Sequence, residues 1–220
     1  NYHRQTSSES ILSLEPTKVL LTETAGPPGV IEQIKSTGIE VEKIPSGEKI
    51  EAIQPKIMAV AKALKKEDTG QELVAEFNQQ FEKAIEYVKK FESKPKVLFL
   101  YSRQGMGAPM VRGTNTGANV IIELAGGINV AKEVDGYKPL TPEALLNMQP
   151  DCILMMDKGF EALGGEEALL TLPGMADTPA GRNKKFVTVS DDLLLSFGPR
   201  TPLAIQKLAD LIRSEGAVTS

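Results

Sequence analysis

Apolar residues in the stretch Thr69–Phe91 fall at Leu73, Val74, Phe77, Phe81, Ala84, Ile85 and Val88, the three-and-four spacing of one helical face. Charged and amide side chains fill most of the other positions, and Glu82 and Glu86 precede Lys89 and Lys90 in the order that suits a helix surface. The pattern predicts one helix about 34 Å long, capped by Thr69, with Gly70 beside the cap and no other Gly or Pro inside. Before it, Lys18–Thr22 and Ile39–Ile44 read as strands on either side of a helix over Val30–Lys35, an order that calls for a parallel pair with a helical crossover. A short helix capped by Ser7 or Ser8 opens the chain, and an amphipathic helix spans Ile50–Leu64. After it, Lys96–Tyr101, Asp151–Met156 and Phe186–Val189 are apolar enough to be strands buried on both faces. Helices are predicted over Gly117–Ala125, Pro142–Asn147 and Arg200–Arg213, with Ser102–Asn115 read as one loop.

The expected fold is α/β: two lobes with mostly parallel sheets joined by the long helix. The divisions fall at 1–68 for the first lobe, 69–92 for the spine and 93–220 for the second lobe. Only two strands precede the spine, and two strands rarely stand alone, so the first lobe reads as incomplete.

Composition narrows the chemistry. Net charge is −4, which gives no basic field for nucleic acid, and no apolar run approaches a membrane span. The one cysteine, Cys152, lies in an apolar run and reads as a buried, inert thiol. With His3 as the one histidine, a histidine-based triad and a Cys/His zinc cluster are both excluded. The pairs Glu166-Glu167 and Asp191-Asp192 read as solvated loop or cap residues. Gly105-Met106-Gly107 follows a strand as a dinucleotide fingerprint would, but Met110 stands where a third glycine belongs.

Tyr2-His3-Arg4 carries different chemistry. In extended backbone, Tyr2 and Arg4 share a face, and a neighbouring guanidinium favours the phenolate form. A phenolate is a hard anionic ligand for ferric iron, and tyrosine is an axial ligand of haem. Taken alone, the pair reads as an ordinary surface tyrosine and arginine.

Several stretches together resemble the haem-binding substrate-binding proteins of bacterial ABC importers. In the first half these are Tyr2-His3-Arg4, Ser10–Pro16 and Ala25-Gly26-Pro27-Pro28. In the second they are Pro109-Met110-Val111, Leu124–Gly127, Gly136–Leu140, Leu172-Pro173-Gly174, Thr178–Asn183 and Phe197–Pro202. The resemblance implies a carrier, not an enzyme: ferric haem held between two lobes and passed to a membrane permease. It implies Tyr2 as the iron ligand, with Arg4 beside its oxygen, and haem contacts from Ala25, Gly26, Pro27, Arg103, Met106 and Tyr137. Arg4, Arg103 and Arg112 are candidates for the propionates, and Glu32 and Glu161 for docking to the permease. Some relatives bind a second haem through a histidine of the second lobe; this chain has none there, so one haem is expected. The resemblance also implies an exported, periplasmic protein, although no signal peptide is visible in the chain. A ferric siderophore or corrinoid carrier and a nucleotide- or phosphate-using α/β enzyme are the alternatives; the Tyr2-x-Arg4 pair argues against the first, and Met110 in the glycine fingerprint against the second.

Overall fold

A computed structural model describes residues 7–23, 25–216 and 218–219, and divides the chain into two compact units, 1–76 and 77–220. The first unit opens on helix α1 (Ser8–Leu12), where Ser7 Oγ accepts from the Ser10 N–H. Strand β1 (Lys18–Thr22) pairs in parallel with β2 (Glu40–Ile44), Lys18 opposite Glu40, through helix α2 (Pro28–Ser36). This is the crossover that the sequence pattern requires. Lys18 Nζ lies 3.0 Å from a Glu40 oxygen and donates to Ala63 O at 2.6 Å, tying the sheet to the end of helix α3 (Ile53–Ala63). Ile53, Ile57 and Ala61, four apart, form the buried face of α3.

Helix α4 spans Glu67–Val88, in place of the expected Thr69–Phe91. Its start is set by packing and charge. Gly70 sits in the first turn, where an added Cβ would come 2.4 Å from the Ala61 Cβ, so α3 and α4 touch through a position that only glycine can fill. Glu67 and Asp68 complement the helix N-terminus, and Thr69 is an interior residue of the first turn. Beyond Val88 the backbone tightens, with the Phe91 N–H donating to Val88 O, which removes three expected residues from the regular helix.

The second unit is built on a central sheet. Strands β3 (Lys96–Tyr101), β7 (Cys152–Met156), β8 (Phe186–Val189) and β9 (Val218–Thr219) run parallel, with β5 (Ile128–Asn129) parallel to the start of β3. On one edge, β4 (Met110–Arg112) and β6 (Tyr137–Pro139) run antiparallel. Val97, Phe99, Cys152, Leu154, Val187 and Val189 pack on one face against α5 (Gly117–Leu124) and α11 (Thr201–Leu211). Leu98, Leu100, Ile153, Met155 and Phe186 pack on the other against Leu145 of α6 (Pro142–Met148) and Leu169 of α8 (Gly165–Thr171). Burial on both faces accounts for the unbroken apolar runs of β3 and β7. Helices α7 (Asp157–Leu163), α9 (Pro179–Arg182) and α10 (Asp191–Leu194) complete the unit.

One expectation is corrected here, and one is narrowed from loop or cap to helix start. The stretch 102–115 is not one loop: Met110–Arg112 returns along β3, Tyr101 opposite Met110 and Leu100 opposite Val111. Glu166-Glu167 and Asp191-Asp192 lie in the first turns of α8 and α10, where carboxylates meet the positive end of a helix. The expectation for Cys152 holds: it is fully buried, and burial pushes its thiol pKa up to about 12. Among the described residues no helix is long and apolar enough to cross a membrane.

Candidate functional site

In parallel α/β sheets the loops that leave the C-terminal ends of strands are the ones free to meet a ligand. In the first unit, that loop follows β1. The Ala25 N–H donates to Thr22 O at 2.9 Å, Ala25 is buried, and Gly26 takes a left-handed φ of 61° that turns the chain into Pro27, the N-cap of α2. Ala25, Gly26 and Pro27 thus form one short turn at a strand end. Tyr2 and Arg4 lie outside the described residues.

In the second unit the corresponding segment is the hairpin loop between β3 and β4. Ser102, at its start, is buried against α7, where a Cβ on Gly159 would come 2.9 Å from Ser102 O. The loop then turns, with the Met106 N–H donating to Arg103 O at 3.1 Å and Gly105 at a φ of 81°. Arg103 is exposed at this turn, and Met106 is half-buried. Gly105-Met106-Gly107 therefore sits between antiparallel strands. A phosphate-binding glycine loop opens directly onto a helix N-terminus, and this one runs into a strand instead. The next helix, α5, begins only at Gly117 and is already capped by Thr116 Oγ1.

Tyr137 is held by the same edge of the sheet. Strand register places it opposite Arg112, and the Leu140 N–H donates to Pro109 O at 2.9 Å, joining β6 to the hairpin. Arg112 is only 3% exposed. Its guanidinium lies between the rings of Phe99 and Tyr137, 5.5 and 4.7 Å from their centroids, and donates to the Tyr137 hydroxyl. Sequence reasoning offered Arg112 as a cation for the ligand and did not connect it to Tyr137. The pair is made by a three-residue antiparallel ladder that leaves no periodic signal in the sequence.

At the end of β8, Asp191 is half-buried, and its Oδ1 has no hydrogen-bond partner among the described residues. Desolvation raises its pKa; Lys158 opposes the shift, and Asp157 and Asp192 add to it. A carboxyl whose folded pKa lies above its unfolded value stabilises the fold below the unfolded pKa. That contribution is lost as pH rises through the folded pKa, so at neutral pH the ionised group is a net cost. Asp191→Asn is expected to raise the melting temperature at pH 7 only slightly, because solvent screens much of the effect at a half-buried site and the α10 N-terminus favours the carboxylate. The gain should shrink toward pH 3, and melts across pH 3–7 check this.

A cavity of about 660 Å³ lies at the opposite ends of the strands, lined among others by Pro95, Asp151, Asn183, Lys185 and Ser214. Its buried cation is already engaged: Lys185 Nζ donates to Leu211 O at 2.9 Å and to Ser214 Oγ at 2.8 Å. None of the residues singled out for a ligand lines this cavity.

A family model described as periplasmic binding protein matches residues 1–193 of the chain. The chain belongs to the periplasmic binding protein family. Within this family it is similar to the periplasmic heme-binding protein RhuT from Roseiflexus sp. RS-1, solved in apo form. Identity is 40%, 96% of this chain and 81% of that one are covered, and the TM-score is 0.90. It is similar also to the periplasmic heme-binding protein BhuT in complex with two hemes, with 39% identity, coverage of 96% and 80%, and a TM-score of 0.87. A third family relative, an uncharacterized ABC transporter substrate-binding lipoprotein of Bacillus subtilis (YvrC), is 24% identical over 93% of this chain. The chain spans 64% of the length of that lipoprotein. The two solved relatives are named as heme-binding proteins, and their fold is the one seen here.

Proposed function

We propose that this protein binds ferric haem outside the cytoplasm and delivers it to the membrane permease of an ABC importer for haem-iron uptake. The observation that carries the reading is the 40% identity, over 96% of the chain, to a periplasmic heme-binding protein. It is supported by the Tyr2-x-Arg4 sequence, whose phenol is suited to ferric iron and whose guanidinium stabilises the phenolate. In this reading Tyr2 is the axial ligand and Arg4 holds its oxygen. Ala25, Gly26 and Pro27 offer close backbone approach to the porphyrin, Met106 and Tyr137 offer contacts to it, and Arg103 serves the propionates.

The protein makes and breaks no bond; it transfers a ligand. Most of the affinity comes from apolar burial of the porphyrin, at about 25 cal/mol per Å², and the phenolate adds strength and specificity for iron. Glu32 and Glu161 are the proposed contacts with the permease. Both are exposed, and Glu32 forms a surface pair with Lys35 at 3.1 Å, the kind of pair that a partner displaces at little cost.

Titration with ferric haem, followed by absorbance, tests the reading. It is run on this chain and on any longer natural form of the protein. Saturable binding with a tyrosinate-type spectrum is expected, ending at one haem per chain. Tyr2→Phe should lose that spectrum and bind at least about ten-fold more weakly, with residual affinity from porphyrin burial. Absence of binding in every form would sink the haem reading. An endpoint of two haems would bring the protein into line with the two-haem complex of BhuT.

A further inference from the structure

We infer that Tyr137 is a carboxylate-reading residue, its hydroxyl polarised by Arg112 and aimed at a propionate of the ligand. The inference deepens the haem reading and rests on it. It begins from hydrogen-bond arithmetic. A phenol has one proton to donate and accepts through its oxygen lone pairs, whereas a guanidinium only donates. In the Arg112–Tyr137 bond the phenol oxygen must therefore be the acceptor, so its own proton points elsewhere. Among the described residues, none accepts that proton, and Tyr137 is 48% exposed. A phenol that accepts from a cation becomes a stronger donor, and its best acceptor is an anionic oxygen.

The support behind the phenol is unusually firm for a half-exposed side chain. Arg112 is clamped between Phe99 and Tyr137, its backbone C=O accepts from Asn129 Nδ2 at 3.3 Å, and the strand pairing fixes Tyr137 opposite it. A buried cation held this rigidly is built to orient something. The group it orients is the phenol at the surface, on the strand joined to the 102–109 hairpin through Leu140 and Pro109. Arg112 is thus a positioning residue, and Tyr137 the one that touches ligand. The chemistry favours a carboxylate, because the site offers one directed donor backed by a shielded positive charge.

The test compares two probes on the wild type and on Tyr137→Phe: ferric haem, and ferric haem with both propionates converted to methyl esters. The wild type should bind both. Tyr137→Phe should weaken haem binding at least about ten-fold, the scale of one hydrogen bond to a charged group, while changing binding of the diester less than about two-fold. Arg112→Met, if it retains the wild-type melting temperature, should show the same selective loss and add nothing to Tyr137→Phe in the double variant. Equal losses for both probes would assign Tyr137 a packing role and overturn the inference, as would unchanged binding of both. Failure of the wild type to bind either probe would instead remove the haem reading, and this inference with it.

Discussion

Gly113→Ala is expected to destabilise the second unit by about 3 kcal/mol, the upper end of what an inserted methyl group costs in packed surroundings. The position leaves no room. A Cβ built there would fall 1.9 Å from Val134 O and 2.6 Å from Ala131 O, and both of these are backbone atoms that no side-chain rotation can move aside. The same few residues form a dense knot of hydrogen bonds. The Gly113 N–H donates to Gly136 O at 2.9 Å, the Thr114 N–H to Val134 O at 2.8 Å and Thr116 Oγ1 to Gly113 O at 2.7 Å. To admit a methyl group, the 131–136 segment must retreat and give up part of this knot. A fall in melting temperature of about 10 °C follows at the sensitivity of a chain this size. Thermal unfolding followed by circular dichroism reads it; a variant that melts within a degree of the wild type would show that the 131–136 segment yields easily. Because Gly136 carries the chain directly into Tyr137, the variant should also displace that phenol.

Arg213→Met is expected to cost a comparable amount, about 3 kcal/mol, since hydrogen bonds from a charged donor are each stronger than neutral ones. One guanidinium closes the ends of three segments. It donates to Ala125 O at 3.0 Å and Gly126 O at 3.0 Å after α5, to Ala209 O at 2.7 Å in α11, and to Ser93 O at 2.9 Å before β3. Its plane also covers the Phe91 ring at 4.4 Å. Carbonyls at helix C-termini are the groups most in need of a cationic donor. Methionine keeps the bulk of the stem and leaves four carbonyl oxygens without their donor. Arg213→Lys should recover only part of the loss, because a single ammonium cannot reproduce the planar fork. Equal stability of the lysine variant and the wild type would mean that charge alone suffices there.

What could be read from the sequence divides along a physical line. Strands buried on both faces announce themselves as apolar runs, so β3, β7 and β8 were placed correctly, as was the parallel β1–α2–β2 unit. Local capping chemistry was equally visible: Thr141 caps α6 with Pro142 at its first turn, and Gly126 ends α5 with a left-handed φ of 75°. Strands β4, β5 and β6 were missed because two or three residues have no period, and exist as strands only through their partners. Helices α7 and α8, seven residues each, are too short to show an amphipathic repeat. The expected start of α4 lies two residues late because Thr69 reads as a cap in sequence, whereas Glu67 and Asp68 already occupy the first turn and Gly70 packs against Ala61.

The candidate site follows the same division. The family, and with it the expectation of a haem ligand, rested on stretches matched as a set, none of which is decisive singly. Tyr137 came from that resemblance, but its connection to Arg112 did not, since the two meet only across the antiparallel ladder.

The burial of Cys152 has a practical consequence. This thiol is the only one in the chain, it lies in β7 between β3 and β8, and it is wholly sealed from solvent. A thiol reagent can reach it only when the central sheet comes apart, so the rate of covalent labelling reads the opening of the second unit directly. No engineered probe is needed. Labelling should be slow in the folded protein and immediate in denaturant. Any ligand that binds the folded form should slow it further, in proportion to how far its concentration exceeds its dissociation constant. A stopwatch for ligand occupancy is thus built into the middle of the sheet, away from the loops proposed to meet the ligand.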